Sequence, residues 1–109
     1  MRAIVIPADE TVPVHDVQIP DDGSSLPALQ QLVGGDIQFL PYPGRRDVSV
    51  FCNEEGKLHG LAANPRACNL MRGVIFDWDF IVGDVVICGL DSESGETVSA
   101  PDLPELNQL

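Results

Sequence analysis

A chain of 109 residues falls in the size range of one compact domain, with nothing left over to build a second core. Its 44% hydrophobic content is enough to fold, because disordered chains pair high charge with low hydrophobicity and this one has the charge alone. Seventeen acids against six bases leave a net charge of −11, which excludes a general DNA-binding or membrane-surface protein, since both need a basic face.

In chain order, RAIVIP (2–7) is a short apolar run closed by Pro7, and VPVHDVQIP (12–20) alternates in part before stopping at Pro20. Two strands joined around Asp9 and Glu10 are predicted. Ser24 and Ser25 precede Leu26, Leu29, Leu32 and Val33 at near-helical spacing, Pro27 is tolerated in a first turn, and Gly34 is placed to terminate, so a helix is predicted over 25–33. In DIQFLP (36–41), Ile37 and Phe39 alternate with Asp36 and Gln38, a strand with one wet face, and Tyr42, Pro43 and Gly44 then turn the chain. DVSVFC (47–52) sets Val48, Val50 and Cys52 on one face. NEEG (53–56) reads as a hairpin turn with its glycine at positive φ, and KLHG (57–60) as the start of a return strand.

Asn64 followed by Pro65 is a helix start, because asparagine caps orphan N–H groups and proline at the first helical position loses no hydrogen bond. That helix is predicted to run to Met71 and stop at Gly73. VVICG (85–89), bounded by Gly83 and Gly89, is a continuous apolar run that suits a central strand buried on both faces. DSESGE (91–96) is a polar turn, and PDLPELNQL (101–109) reads as a short helix or a frayed end. The sum is an α+β fold, a small mostly antiparallel or mixed sheet of five to six short strands with two short helices. It forms one compact domain over 1–98, followed by an acidic C-terminal tail over 99–109.

The charge is unevenly placed. Five of the six bases (Arg45, Arg46, Lys57, Arg66, Arg72) lie between 45 and 72, against Asp47, Glu54 and Glu55. From 73 onward there is no lysine or arginine, and Asp77, Asp79, Asp84, Asp91, Glu93, Glu96, Asp102 and Glu105 carry eight negative charges. Cys52, Cys68 and Cys88 are odd in number and widely spaced, which suits neither a disulfide framework nor a zinc clamp and reads as reduced thiols. No signal peptide or membrane span is visible, and a cytoplasmic protein is expected.

The densest polar stretch is CNEEGKLHGLAANPRACN (52–69). A cysteine nucleophile would need Cys52 beside His59 across the hairpin, yet Cys52 falls on the face assigned to the core, where thiols are inert. A metal would draw on His59, Cys52 and Cys68, or on Asp77 and Asp79, but the spacing matches no known clamp, and DSESGE places its glycine one position too early for a calcium loop. No metal or other cofactor is expected. An anion is better served, with Arg66 in the first turn of the helix that starts at Asn64, and with Arg45 and Arg46 nearby in the locally basic segment. The plainer alternative has Arg66 and Arg72 pairing with surplus acids such as Glu54 and Glu55.

Three ordered motifs, LQQLVGGDIQ (29–38), VFCNEEGKLHGLAANPRA (50–67) and IVGDVVICG (81–89), together resemble the small family catalogued as domain of unknown function 3846. The resemblance covers residues 1–98. It implies no catalytic residue; it implies a context of actinobacteria, firmicutes, mobile elements and phages, and hence a host-directed accessory protein. It also makes Asn53 to Lys57 a shared turn and Asn64 to Ala67 a shared helix start.

The leading expectation is a non-enzymatic module that binds and modulates a host protein through an acidic surface, which clustered carboxylates would steer towards a basic partner in imitation of nucleic acid. High acidity also serves solubility. Its partner-binding candidates are Asp77, Trp78, Asp79, Asp91, Glu93 and Glu96, with Trp78 as an aromatic anchor or else a core plug between Phe76 and Phe80. The alternative is a binder of a small anionic ligand, such as a signalling nucleotide, through Arg45, Arg46, Asn64 and Arg66. An enzyme ranks last, because no acid, base and nucleophile occur at recognisable spacing. Neither direct nucleic-acid contact nor membrane binding is expected, and short-stranded sheet edges leave room for a homo-oligomer.

Overall fold

The apolar run that begins at Val85 forms the middle of the molecule. In the computed structural model, which describes residues 1–23, 25–76 and 79–109, β5 (Val85–Leu90) lies between β1 (Arg2–Ile6) and β4 (Val48–Asn53). β2 (His15–Gln18) and β3 (Ile37–Pro41) stand at the two edges, and the short β6 (Thr97–Val98) pairs with the end of β5. The six strands make one sheet of order β2-β1-β5-β4-β3 with β6 beside β5, antiparallel at every pairing between them, in agreement with the expected α+β fold with a mostly antiparallel or mixed sheet.

β5 is buried on both faces because helical segments cover the sheet on both sides. One face joins Val85 and Ile87 to Ile4, Ile6, Val48, Val50 and Cys52 under α2 (Pro65–Leu70) and the 3-10 turn Pro104–Gln108. The other joins Val86 and Cys88 to Ala3, Val5 and Phe51 under α1 (Ser25–Val33), whose Leu29 and Val33 point inward. Both predicted helices occur where the capping signals put them. α1 ends at Gly34, which takes φ +83° as a terminating glycine does; Ser24, the other residue read as its start, lies outside the described residues.

Asn64 closes α2 on three sides. Its Oδ1 accepts from the Ala67 N–H at 3.0 Å, while Nδ2 donates to the Ile6 and Gly83 carbonyls, each at 2.9 Å. The cap therefore also ties the helix to the ends of the sheet.

The predicted return strand after β4 does not form. Residues 54–60 wind through consecutive turns instead, with the His59 N–H on the Glu55 carbonyl at 3.1 Å and the Leu61 N–H on that of Gly56 at 3.1 Å. β4 is paired on both sides, by β3 and β5, so a chain leaving its end has no free edge to return along. Gly56 is not at positive φ either. It is small because a Cβ there would lie 2.7 Å from Val82 Cγ2.

The segment 99–109, read from sequence as an acidic tail, packs Ala100, Leu103 and Leu106 into the same cluster as Val85 and Ile87. Arg2 holds its start, donating from Nε and Nη2 to the Ala100 carbonyl at 3.3 and 3.0 Å and also to that of Pro101. The Tyr42 hydroxyl donates to Glu105 at 2.7 Å and holds its end.

Candidate functional site

Asn53 is the last residue of β4, and its side chain shapes the turn beyond the strand. Nδ2 donates to the Val33 carbonyl at 3.2 Å, anchoring the strand end to α1, and Oδ1 accepts from the Glu55 N–H at 2.8 Å, bending the chain off the sheet. The turn so formed, Glu54 to Leu58, faces the incoming segment Asp79 to Val82. Between them, over Gln38, Leu40 and Cys52, lies a pocket of about 250 Å³.

Lys57 bridges the pocket's two walls. Its ammonium pairs with the Asp79 carboxylate and sits 4.6 Å from the centre of the Phe80 ring, a cation–π distance. The same carboxylate accepts from the Phe80 N–H at 2.8 Å, and these bonds, Lys57 foremost, hold the Asp79 pKa below its ordinary value. Glu54 and Glu55 add two carboxylates, so the lining carries three acids against one base. Among the described residues the Glu55 carboxylate pairs with His59, at 3.5 Å, and Glu54 is in no ion pair. Around this acidic pocket stand large apolar side chains in water: Leu58 is 83% exposed and Phe80 49%, with Phe76 at 69% beside the adjoining cleft.

The predicted acidic set is only partly brought to this place. Asp79 lines the pocket. Asp77 and Trp78 lie outside the described residues. Asp91, Glu93 and Glu96 belong to the β5–β6 turn and do not line it. Asp91 Oδ1 there accepts from the N–H groups of Glu93 and Ser94 at 3.0 and 3.4 Å, which lowers the Asp91 pKa and makes that residue first a turn former.

At the start of α2, where an anion site is expected, Arg66 turns inward. Arg66 is only 9% exposed, and its Nη2 lies 2.7, 2.9 and 2.8 Å from the carbonyls of Pro7, Asp9 and Val12, so the guanidinium clasps the β1–β2 loop. Nor does it pair with Glu54 or Glu55. Asn64 is fully buried with its amide engaged on three backbone groups. Arg45 forms a two-point ion pair with Asp47 at 2.9 and 2.7 Å, and Arg46 stands exposed. Arg72 donates to Asn69 at 2.8 Å.

Cysteine chemistry is also constrained. Cys52 contacts Gln38 at 3.8 Å, and burial raises its pKa; His59 sits in the exposed turn against Glu55. Cys88 is buried in the opposite cluster, where desolvation pushes its pKa to about 11. No group of three or more His, Cys, Asp or Glu side chains among the described residues is arranged to hold a metal, and none of their helices is long and apolar enough to cross a membrane.

A family model described as a domain of unknown function, DUF3846, matches residues 1–107. The chain belongs to the DUF3846 family. No curated protein and no solved structure matches it. The stretch NEEGK (53–57), which the sequence offered as turn chemistry alone, supplies one wall of the pocket. Lys57, Leu58 and Phe80 escaped the sequence reading as a group because the two walls are far apart in the chain. The available signal was Leu58, an isolated apolar residue in a polar run.

Proposed function

We propose that this DUF3846 protein is a non-enzymatic accessory module of phage or mobile-element type, acting in the host cytoplasm, that binds and modulates a host protein through an acidic surface. The contact centres on the Glu54–Leu58 turn and the Asp79–Phe80 segment. One observation carries the reading: Leu58, Phe76 and Phe80 stand exposed around an acidic pocket. A solubility role accounts for surplus carboxylates but not for three large apolar side chains in water beside them. Apolar anchors ringed by charge are how transient interfaces combine affinity with steering. The non-enzymatic part is supported by chemistry, since the thiol at the pocket, Cys52, has its pKa raised by burial and further by the Asp79 carboxylate, and its sulfur contacts the Gln38 amide and not a histidine.

The test is a tagged pull-down from host lysate at low and high salt with three baits. These are the wild type, a Leu58→Ala/Phe80→Ala variant, and an Asp91→Asn/Glu93→Gln/Glu96→Gln variant. A stoichiometric partner that is retained at low salt, released at high salt and lost with the apolar variant supports the reading. Capture that is indifferent to salt and to both variants refutes it. The β5–β6 variant separates a contact confined to the pocket from one that spans the whole acidic surface.

A further inference from the structure

We infer that the partner engages this surface as an extended, basic peptide segment, which adds to the sheet along the free edge of β3 and places a lysine or arginine side chain in the pocket beside it. The inference rests on the binding-module reading and specifies its partner.

The edge itself is the first ground. β3 pairs with β4 and, among the described residues, with nothing else. The Glu54 N–H donates to the Asp36 carbonyl at 2.8 Å, and Gln38 pairs with Cys52 and Leu40 with Val50 in the same register. In an antiparallel ladder alternate residues bond inward, so Asp36, Gln38 and Leu40 face β4, while the backbone groups of Ile37 and Phe39 and the Pro41 carbonyl point away from it. Pro41 has no N–H to offer the ladder, which suits an edge position. This is a row of donors and acceptors of the kind that receives an added strand.

The two faces of that edge then say what kind of strand fits. Gln38 and Leu40 point to the pocket, whose wall carries Glu54 and Glu55; Phe39 points to the other face, 51% exposed and edge-on to Phe51 at 6.1 Å between ring centres. An added strand alternates its side chains in the same way. Those on the pocket side meet carboxylates and the long apolar surface of Leu58, which favours a lysine or arginine, a charged head on an apolar stem. Those on the other side meet Phe39 and favour an apolar residue. A second copy of this chain fits poorly, because pairing β3 with β3 would bring Asp36, Glu54 and Glu55 of two molecules of net charge −11 together.

The probe is a short capped peptide of alternating valine and lysine. Its controls are the valine–glutamate counterpart and the same valine–lysine peptide N-methylated at alternate residues to block strand pairing. Binding is read by fluorescence polarisation, and amide exchange of the intact protein is followed by NMR. The expected result is binding of the first peptide only, with slowed exchange at the Ile37 and Phe39 amides. Glu54→Lys/Glu55→Lys should weaken it by about tenfold or more, and Phe39→Pro should abolish it. The charge variant leaves the strand untouched, so a folding defect in Phe39→Pro does not decide the matter. Equal binding of the N-methylated peptide, binding without protection of those two amides, or no binding at millimolar peptide overturns the inference. Capture of a host partner that survives Phe39→Pro also overturns it while leaving the binding-module reading standing; loss of all salt-sensitive capture in the wild type removes that reading itself.

Discussion

Asn64 shows how one side chain can look like a site and be a joint. An asparagine at a helix start is normally valued for its cap, and a cap alone is worth about 1 kcal/mol. Here Nδ2 also donates to two buried carbonyls, so Asn64→Ala removes a hydrogen bond from each of the Ile6 and Gly83 carbonyls as well as the cap on the Ala67 N–H. The expected cost is about 3 kcal/mol in urea unfolding. Asn64→Asp is the sharper test: an aspartate caps as well as asparagine, yet it cannot donate to either carbonyl and would bury a charge. Asp should therefore destabilise at least as much as Ala at neutral pH, and a near-neutral Asp variant would show that only the cap matters. Arg66 works in the same way on the neighbouring loop. Arg66→Met should speed amide exchange across residues 8–12, where its clasp on the Pro7, Asp9 and Val12 carbonyls is lost, and exchange no faster than in the wild type would show the clasp to be idle.

At the scale of elements, the 54–60 turns are held against the Val82 segment by the absence of a side chain at Gly56. Gly56→Ala would set a methyl 2.7 Å from Val82 Cγ2 in a backbone that is not left-handed, so its cost is steric and falls in the ~1–3 kcal/mol range of overpacking. The prediction is a coupling: Val82→Ala should recover part of that loss, and strictly additive thermal or urea unfolding would argue that Gly56 serves conformation instead. The same junction marks where sequence reading stops. α1, α2 and the burial of β5 were legible because capping residues and apolar runs act over a few neighbours. The fate of the chain after β4 was not, since it depends on β5, formed far downstream, already holding the second edge of β4. The pocket inherits that non-locality, with one wall from 53–58 and the other from 79–82. The burial of the C-terminal segment did leave a trace, because Leu103 and Leu106 lie one helical turn apart, but two prolines and surrounding polar residues obscured it.

For the whole molecule, the question is how a chain of net charge −11 stays folded as pH moves, and the two directions are not equivalent. Asp9, Asp47, Asp79, Asp91 and Glu105 have folded pKa values below their ordinary ones, each through hydrogen bonds to the charged form. Their contribution is present above the unfolded values, 3.8 for Asp and 4.5 for Glu, and is lost as pH falls through the lower folded ones. These groups are exposed and individually weak, and acidification also relieves repulsion among the remaining carboxylates, so the acid limb should be shallow. The alkaline limb has the opposite character. Burial raises the pKa of Tyr42, with Glu105 adding to the effect, and raises those of Cys52 and Cys88, the last to about 11. Their neutral forms stabilise the fold fully below the unfolded values of 9.0 for Cys and 10.0 for Tyr, and that contribution is lost as pH rises through the folded ones. Every proton released there also adds negative charge to a molecule already repelling itself. Stability measured by urea unfolding should therefore fall more steeply above pH 9.0 than below pH 4.5. Salt separates the two causes, because screening weakens repulsion between surface charges but not the cost of ionising a buried thiol. If burial dominates, the alkaline limb persists at high salt and becomes shallower in Cys88→Ala by up to about 1.4 kcal/mol per pH unit, one proton's worth of linkage. A limb that flattens with salt and ignores Cys88→Ala would instead assign alkaline unfolding to the net charge alone.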